Sequence, residues 1–228
     1  MGREVFPKVE LAACTQCVPN PGYFDLEEDG GSMLEIVGRA AGICHDREEK
    51  ESYEDFIRRI IKMGHDSVLE HLSFTFRVDG VSRALTHQLV RHRIASYSQR
   101  SQRFCTEDKF GYVVPSKLKD KTGMDVDFWA EWYTNRMEDA QNAYQYAINH
   151  GIRPEDARFV LPNACETKIF ITMNARELRH FFKLRMAKDA QWEIRRMACM
   201  MWDLLRFVPV IFDDLFELRS SDWNEGFK

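Results

Sequence analysis

Five arginines and two histidines crowd one short stretch of this chain, and no anion accompanies them. Between Val81 and Thr106 stand Arg83, His87, Arg91, His92, Arg93, Arg100 and Arg103 without one Asp or Glu, although the whole sequence carries 32 Lys and Arg against 36 Asp and Glu. A solvated helix face mixes the two signs, so a block of one sign points to a counter-charge from outside the chain, an anionic ligand. The arginine fork grips a phosphate through two parallel hydrogen bonds and keeps its charge at any working pH. Neither G-x-G-x-x-G nor G-x-x-x-x-G-K-[ST] occurs, so phosphates would have to be held by side chains. Arg158, Arg176, Arg179 and Arg185 are further candidates, some of them for surface ion pairs. Two other readings of the block stay open: a basic surface with nothing bound, and a groove for single-stranded nucleic acid with Tyr97 and Phe104 as stacking platforms.

Other reactive residues carry weaker signals. His65, Glu70 and His71 in "HDSVLEH" match neither H-E-x-x-H nor H-x-x-E-H, and histidines six apart do not share a helical face. Capping and packing roles are expected there, and no metal. Cys165 in "LPNACE" is a possible thiolate nucleophile, although free cysteine is most often a small buried hydrophobe. Cys14 and Cys17 form the one C-x-x-C, with no second pair at zinc-ribbon spacing, and read as incidental thiols.

Several elements must position these residues. Ser32 with Glu35 has the spacing of a capping box and opens a helix through "IVGRAAGIC", after a turn-rich loop from Asn20 to Gly31. A second helix is expected from Ser52 to Met63, ended by Gly64. "HLSFTFRV" alternates as a half-buried strand, with Leu72, Phe74, Phe76 and Val78 facing one way, and "DG" is read as a turn after it. The basic block then begins on the helix "VSRALTHQLVRH" and continues through a Ser-rich irregular stretch. "YVVP" is a strand candidate. A long helix spans about Asp125 to His150, closed by Gly151. A short helix starts at Pro154 and stops at Pro162, "TKIFITM" is a strand, and Asn174 to Phe207 is helical with a break near Lys188.

The order of these elements, without regular βα alternation, predicts an α+β fold, a single domain over residues 1–228, with an N-terminal segment (1–31) and a C-terminal tail (208–228). A chain of 228 residues that is 44% hydrophobic can bury a substantial core. No apolar run reaches 18 residues, the N-terminus lacks the zones of a signal peptide, and six cysteines read as reduced thiols. A cytoplasmic protein with no membrane partner is the expectation. A net charge of -4 argues against wholesale coating of nucleic acid.

The residues also carry a family resemblance. "RHRIASYSQRSQR" resembles the R-H-R, seven residues, then Ser signature of the flavin-dependent thymidylate synthases, with Arg91, His92, Arg93 and Ser101 on the fixed places. "GHDSVLEHLSFTF" is similar to that family's G-H-x-S/T-x-x-E-H segment and "ARFVLP" to its A-R-x-x-L-P, while "MNARELRHFFKLR" and "DAQWEIR" resemble its C-terminal blocks. The likeness runs from about Met33 to Phe207.

It implies an α+β fold with an antiparallel or mixed sheet packed by several long helices, and a homotetramer with active sites at subunit interfaces. The implied reaction is methylation of dUMP to dTMP, with 5,10-methylenetetrahydrofolate as carbon donor, FAD as hydride relay, NADPH as reductant, and no metal. Carried over by position, Ser67, Arg91, His92, Arg93, Gln99, Asn174, Ala175, Arg176 and His180 resemble the FAD contacts. Gln88, Leu89, Val90, Arg91, Gln99, Arg100, Ser101, Gln102, Arg103, Arg158 and Arg185 resemble the dUMP contacts, with Gln99 to Arg103 as a binding loop. Arg185 takes the activating role beside the uracil ring, and no protein nucleophile is needed. Gln99 stands where some members have Glu, and Asp189 where some have His.

Overall fold

A computed structural model describes residues 2–16, 32–45, 51–119 and 124–218. Its centre is one four-stranded antiparallel sheet, in the order β1-β2-β4-β3, made of β1 (Lys8–Cys14), β2 (Ser73–Ser82), β3 (Ala95–Gln99) and β4 (Glu166–Asn174). The alternation read in β2 is realised, since Leu72, Phe74, Phe76 and Val78 are all buried. Ile169, Ile171 and Met173 of β4 point to the same core. Burying such side chains stabilises by about 1.5–3 kcal/mol each, which outweighs the polar outer face.

Helices accompany the sheet, and several of them cover that apolar side. They are α1 (Met33–Cys44), α2 (Tyr53–Lys62), α3 (Arg83–Leu89), α4 (Ser116–Lys119), α5 (Met124–Asn149), α6 (Pro154–Ala157), α7 (Ala175–Arg185), α8 (Trp192–Leu204) and α9 (Pro209–Phe212). Phe56, Ile60, Leu178, Phe181, Phe182, Ile194, Met197 and Met201 supply the helical side of the core. The expected caps form: Ser32 accepts from Leu34 N–H, and Ser52 from Asp55 N–H. Gly64 and Gly151 follow α2 and α5 with φ of 79° and 83°, the left-handed region that glycine enters without a Cβ penalty. The helical break expected near Lys188 lies between α7 and α8. No helix among the described residues is long and apolar enough to cross a membrane.

Three local expectations need correction. The "DG" at Asp79 and Gly80 is not a turn, because β2 continues to Ser82 and its register shifts between Val78 and Val81. Gly80 has φ 70° in this bulge, and a Cβ there would stand 2.1 Å from the Phe6 carbonyl oxygen. The Ser-rich stretch is not irregular, since Ala95–Gln99 forms edge strand β3 on β4. "YVVP" contributes only isolated bridges at Tyr112. Strand β1 lies in the N-terminal segment that the sequence pattern left unread. The loop expected from Asn20 to Gly31 and the residue Cys17 lie outside the described residues.

Candidate functional site

The cationic stretch is built on two starts and one turn. Ser82 caps α3 by accepting from Leu85 N–H, and α3 ends at the turn that carries Arg91, His92 and Arg93. The chain then reverses into β3. Tyr97 pins this reversal, because its hydroxyl lies 2.8 Å from both the Leu89 and His92 carbonyl oxygens. Burial pushes that phenol well above its ordinary range, so it stays protonated and donates. Asn174 closes β4 and caps α7, accepting from Glu177 N–H at 2.8 Å.

These two units meet at His92, the buried member of the Arg-His-Arg triplet. Its Nδ1 lies 3.1 Å from Glu177 Oε1, and Arg185 Nε donates to its Nε2 at 3.0 Å. The rings of Phe181 and His180 stand at 5.0 and 5.8 Å between centroids. Burial lowers the His92 pKa from its ordinary value, the Glu177 hydrogen bond opposes this, and the neighbouring Arg185 charge lowers it further. Arg91, Arg93, Arg176, His180 and Ser67 are exposed, whereas Ala175 is buried. An open cleft of about 500 Å³ is lined by Glu70, Asn174, Arg176, Glu177, His180 and Lys183, among others. Exposed cations beside a helix N-terminus suit an anionic ligand.

A second cleft, of about 320 Å³, is lined by Arg83, His87, Gln102, Arg158, Phe159 and the Leu161–Asn163 stretch. The loop from Gln99 to Arg103 runs past it and is held from within the fold. Gln99 donates its amide hydrogens to Thr86 and Thr167, Arg83 Nη2 donates to the Arg100 carbonyl at 2.7 Å, and Arg100 turns inward to Glu107. Ser101 Oγ accepts from Arg103 N–H. Gln102 is buried and donates to the Cys165 sulfur, and Arg158 donates to the Glu155 carbonyl. Gln88 is half-buried and Val90 exposed, but Leu89 is a core residue that offers only its backbone. Thus Asn174, Arg176 and His180 line one cleft, with His92 and Arg185 joined behind it through Glu177, while Gln102 and Arg158 line the other.

The remaining reactive candidates separate. Glu70 pairs with Arg176, and the His65 ring packs 4.6 Å from that of His45. Cys165 is fully buried, and its thiol is pushed up to about 12, chiefly by burial, so it is not a thiolate at neutral pH. His92, Glu177 and His180 have potential ligand atoms within 4.8 Å of one another. Both ring nitrogens of His92 are already engaged, however, Nδ1 with Glu177 and Nε2 with Arg185, and a cation bound there would displace one of these bonds. Glu177 itself escaped the sequence reading. Asn174-x-x-Glu177 has capping-box spacing, which was the available signal, but nothing local shows that its carboxylate turns to a histidine 85 residues earlier.

Comparisons with known proteins identify relatives over most of the chain. A family model described as "thymidylate synthase complementing protein" matches residues 30–210. A flavin-dependent thymidylate synthase of Geobacter sulfurreducens is 48% identical over 190 residues, 78% of this chain and 80% of that protein. The enzyme of the same description from Pyrococcus furiosus is 46% identical over 178 residues, covering 76% and 70%. That from Clostridium tetani is 42% identical over 204 residues, covering 78% and 80%.

Proposed function

Since this chain belongs to the flavin-dependent thymidylate synthases, we propose that it methylates dUMP to dTMP with the carbon of 5,10-methylenetetrahydrofolate and hydride relayed from NADPH by FAD. The observation that carries the residue assignment is the meeting of the Arg-His-Arg turn with α7, which brings His92 and Arg185 together beside a cleft of exposed cations.

The donor set fits FAD. Arg176 and His180 line the cleft from α7, Arg91 and Arg93 are exposed on the turn that carries His92, and Ser67 and Asn174 add polar groups, a set of donors suited to a diphosphate. When bound, the flavin supplies the hydride that completes the methyl group. Gln99 and Ala175 act by shaping this wall: the Gln99 amide ties β3 to α3 and β4, and buried Ala175 seats the α7 start with its N–H on the Leu72 carbonyl.

The dUMP phosphate is assigned to Ser101, Arg103 and Arg158, with Gln88, Leu89, Val90, Arg91, Arg100 and Gln102 framing the nucleotide through side chains or backbone. Arg103 is more than half exposed and holds Glu155 only loosely, at 3.4 Å, so it can exchange that partner for a phosphate at little cost. C5 of uracil is a poor carbon nucleophile. A cation beside the ring lets negative charge collect on N3 and the carbonyl oxygens, which enriches C5 without a protein nucleophile. Arg185 holds that position in this reading, with Nε on His92 and its terminal nitrogens left for the ring. The two clefts complete each other across subunits of a homotetramer, and the enzyme works in the cytoplasm.

The test is dTMP formation from dUMP, methylenetetrahydrofolate and NADPH under low oxygen, using protein stripped of flavin and then resupplied with FAD. Product that depends on FAD supports the reading. Product formed without any flavin refutes it.

A further inference from the structure

His92 is held at both ring nitrogens, and the chemistry of its partners fixes where its one proton sits. A guanidinium Nε carries a hydrogen at any physiological pH and has no lone pair to offer. Arg185 Nε, 3.0 Å from His92 Nε2, is therefore the donor, and Nε2 is the bare nitrogen. The ring proton sits on Nδ1 and points to Glu177 Oε1 at 3.1 Å. The direction of the chain follows: Arg185 donates to His92, and His92 donates to Glu177.

We propose that Glu177 is a positioning residue for thymidylate formation: through the Nδ1–H tautomer of His92, its carboxylate holds the Arg185 side chain with the two terminal nitrogens free for the uracil ring. This rests on the reading of Arg185 as the ring-activating group. Glu177 stands in the first turn of α7 and Arg185 in the last, eight residues later, roughly 12 Å along the helix axis. The carboxylate cannot reach the guanidinium from there. The imidazole spans the gap, and Tyr97 and Phe181 keep it in place. Glu177 and His92 are 7% and 5% exposed, so water does not compete for these bonds. No other hydrogen-bond partner of the Arg185 terminal nitrogens occurs among the described residues.

Turnover, the KM for dUMP, FAD content and thermal melting are measured for the wild type, Glu177→Gln, Arg185→Ala and the double variant. The glutamine is isosteric but can present either an oxygen or an NH2 group to Nδ1, so it no longer dictates the tautomer. Glu177→Gln is expected to lower kcat by about tenfold or more, by analogy with the loss seen when a metal-bound histidine loses its orienting partner. Its KM for dUMP and its FAD content are expected to stay near wild type. In the double variant kcat should equal that of Arg185→Ala, because the two residues act in series. A folded, FAD-loaded Glu177→Gln enzyme with wild-type kcat would overturn the proposal alone. So would losses that multiply in the double variant, or a stoichiometric metal bound by His92, Glu177 and His180. Wild-type turnover in Arg185→Ala would overturn the activation reading and the proposal with it. If Glu177→Gln does not fold, Glu177→Asp, which keeps the charge but withdraws it by one methylene, is held to the same outcomes.

Discussion

Ser82 and Glu193, 111 positions apart, form a buried two-point clasp: the Ser82 backbone N–H and hydroxyl donate to the two carboxylate oxygens of Glu193 at 2.7 and 2.5 Å. Ser82 is also the cap of α3, so α8 fixes the start of the helix that leads into the Arg-His-Arg turn. Glu193→Ala strands a buried N–H and a hydroxyl, and should destabilise the protein by about 1–3 kcal/mol. For a chain of this size that lowers the melting temperature by roughly 2–4 °C per kcal/mol. An unchanged melt would mean that the clasp contributes nothing net.

Arg185 and Arg103 should fail in different ways. Arg185 is tied to His92 beside the flavin-side cleft, so Arg185→Ala is expected to reduce turnover far more than FAD retention. Arg103, loosely paired on the surface, is assigned to the phosphate, so Arg103→Ala should raise the KM for dUMP by about 10- to 100-fold, the loss of one charge-assisted hydrogen bond. Steady-state kinetics with flavin absorbance separates the two. Equal loss of bound FAD in both variants would contradict this division.

Cys165 offers a control against a covalent route. It is buried with its thiol pushed up to about 12, so Cys165→Ala should keep most of its FAD-dependent turnover. Iodoacetamide at neutral pH should label exposed Cys44 well before Cys165, as peptide mass mapping would reveal. A variant devoid of dTMP formation while folded and flavin-loaded would reinstate the thiol.

Local signals announced much of this fold. Strand β2 alternates, α5 repeats its apolar residues at helical steps, and Ser32, Ser52, Gly64 and Gly151 punctuate helices with their own chemistry. Strand β3 was hidden because "ASYSQ" is polar: it is an edge strand whose hydrogen bonds come from β4, about seventy residues later. Gly80 misled for a related reason. A positive φ serves a turn and a bulge alike, and only the neighbouring Phe6 backbone decides between them. The site divides in the same way. The arginines and His92 stand out by type and spacing, whereas the meaning of Glu177 lies in a contact between two segments that sequence order keeps apart.

The acid limb of turnover should report on His92. Burial sets its pKa below 6.5, with Arg185 and His180 lowering it and only Glu177 raising it among the charged neighbours. The folded state thus favours the neutral ring. Its contribution to stability is complete above pH 6.5 and is lost as the pH falls through the lower folded value. Protonation of Nε2 would also remove the acceptor for Arg185 and place two cations side by side, so kcat at saturating dUMP should hold down to pH 6.5 and decline below it. Glu177→Gln withdraws the one contribution that raises the pKa. Its plateau should be lower, and its acid limb should move to lower pH, whereas a carboxylate with a purely structural role would leave the limb where it was. A limb centred above 6.5 in the wild type, or one that moves upward in Glu177→Gln, would show that His92 does not hold Arg185 as a neutral ring.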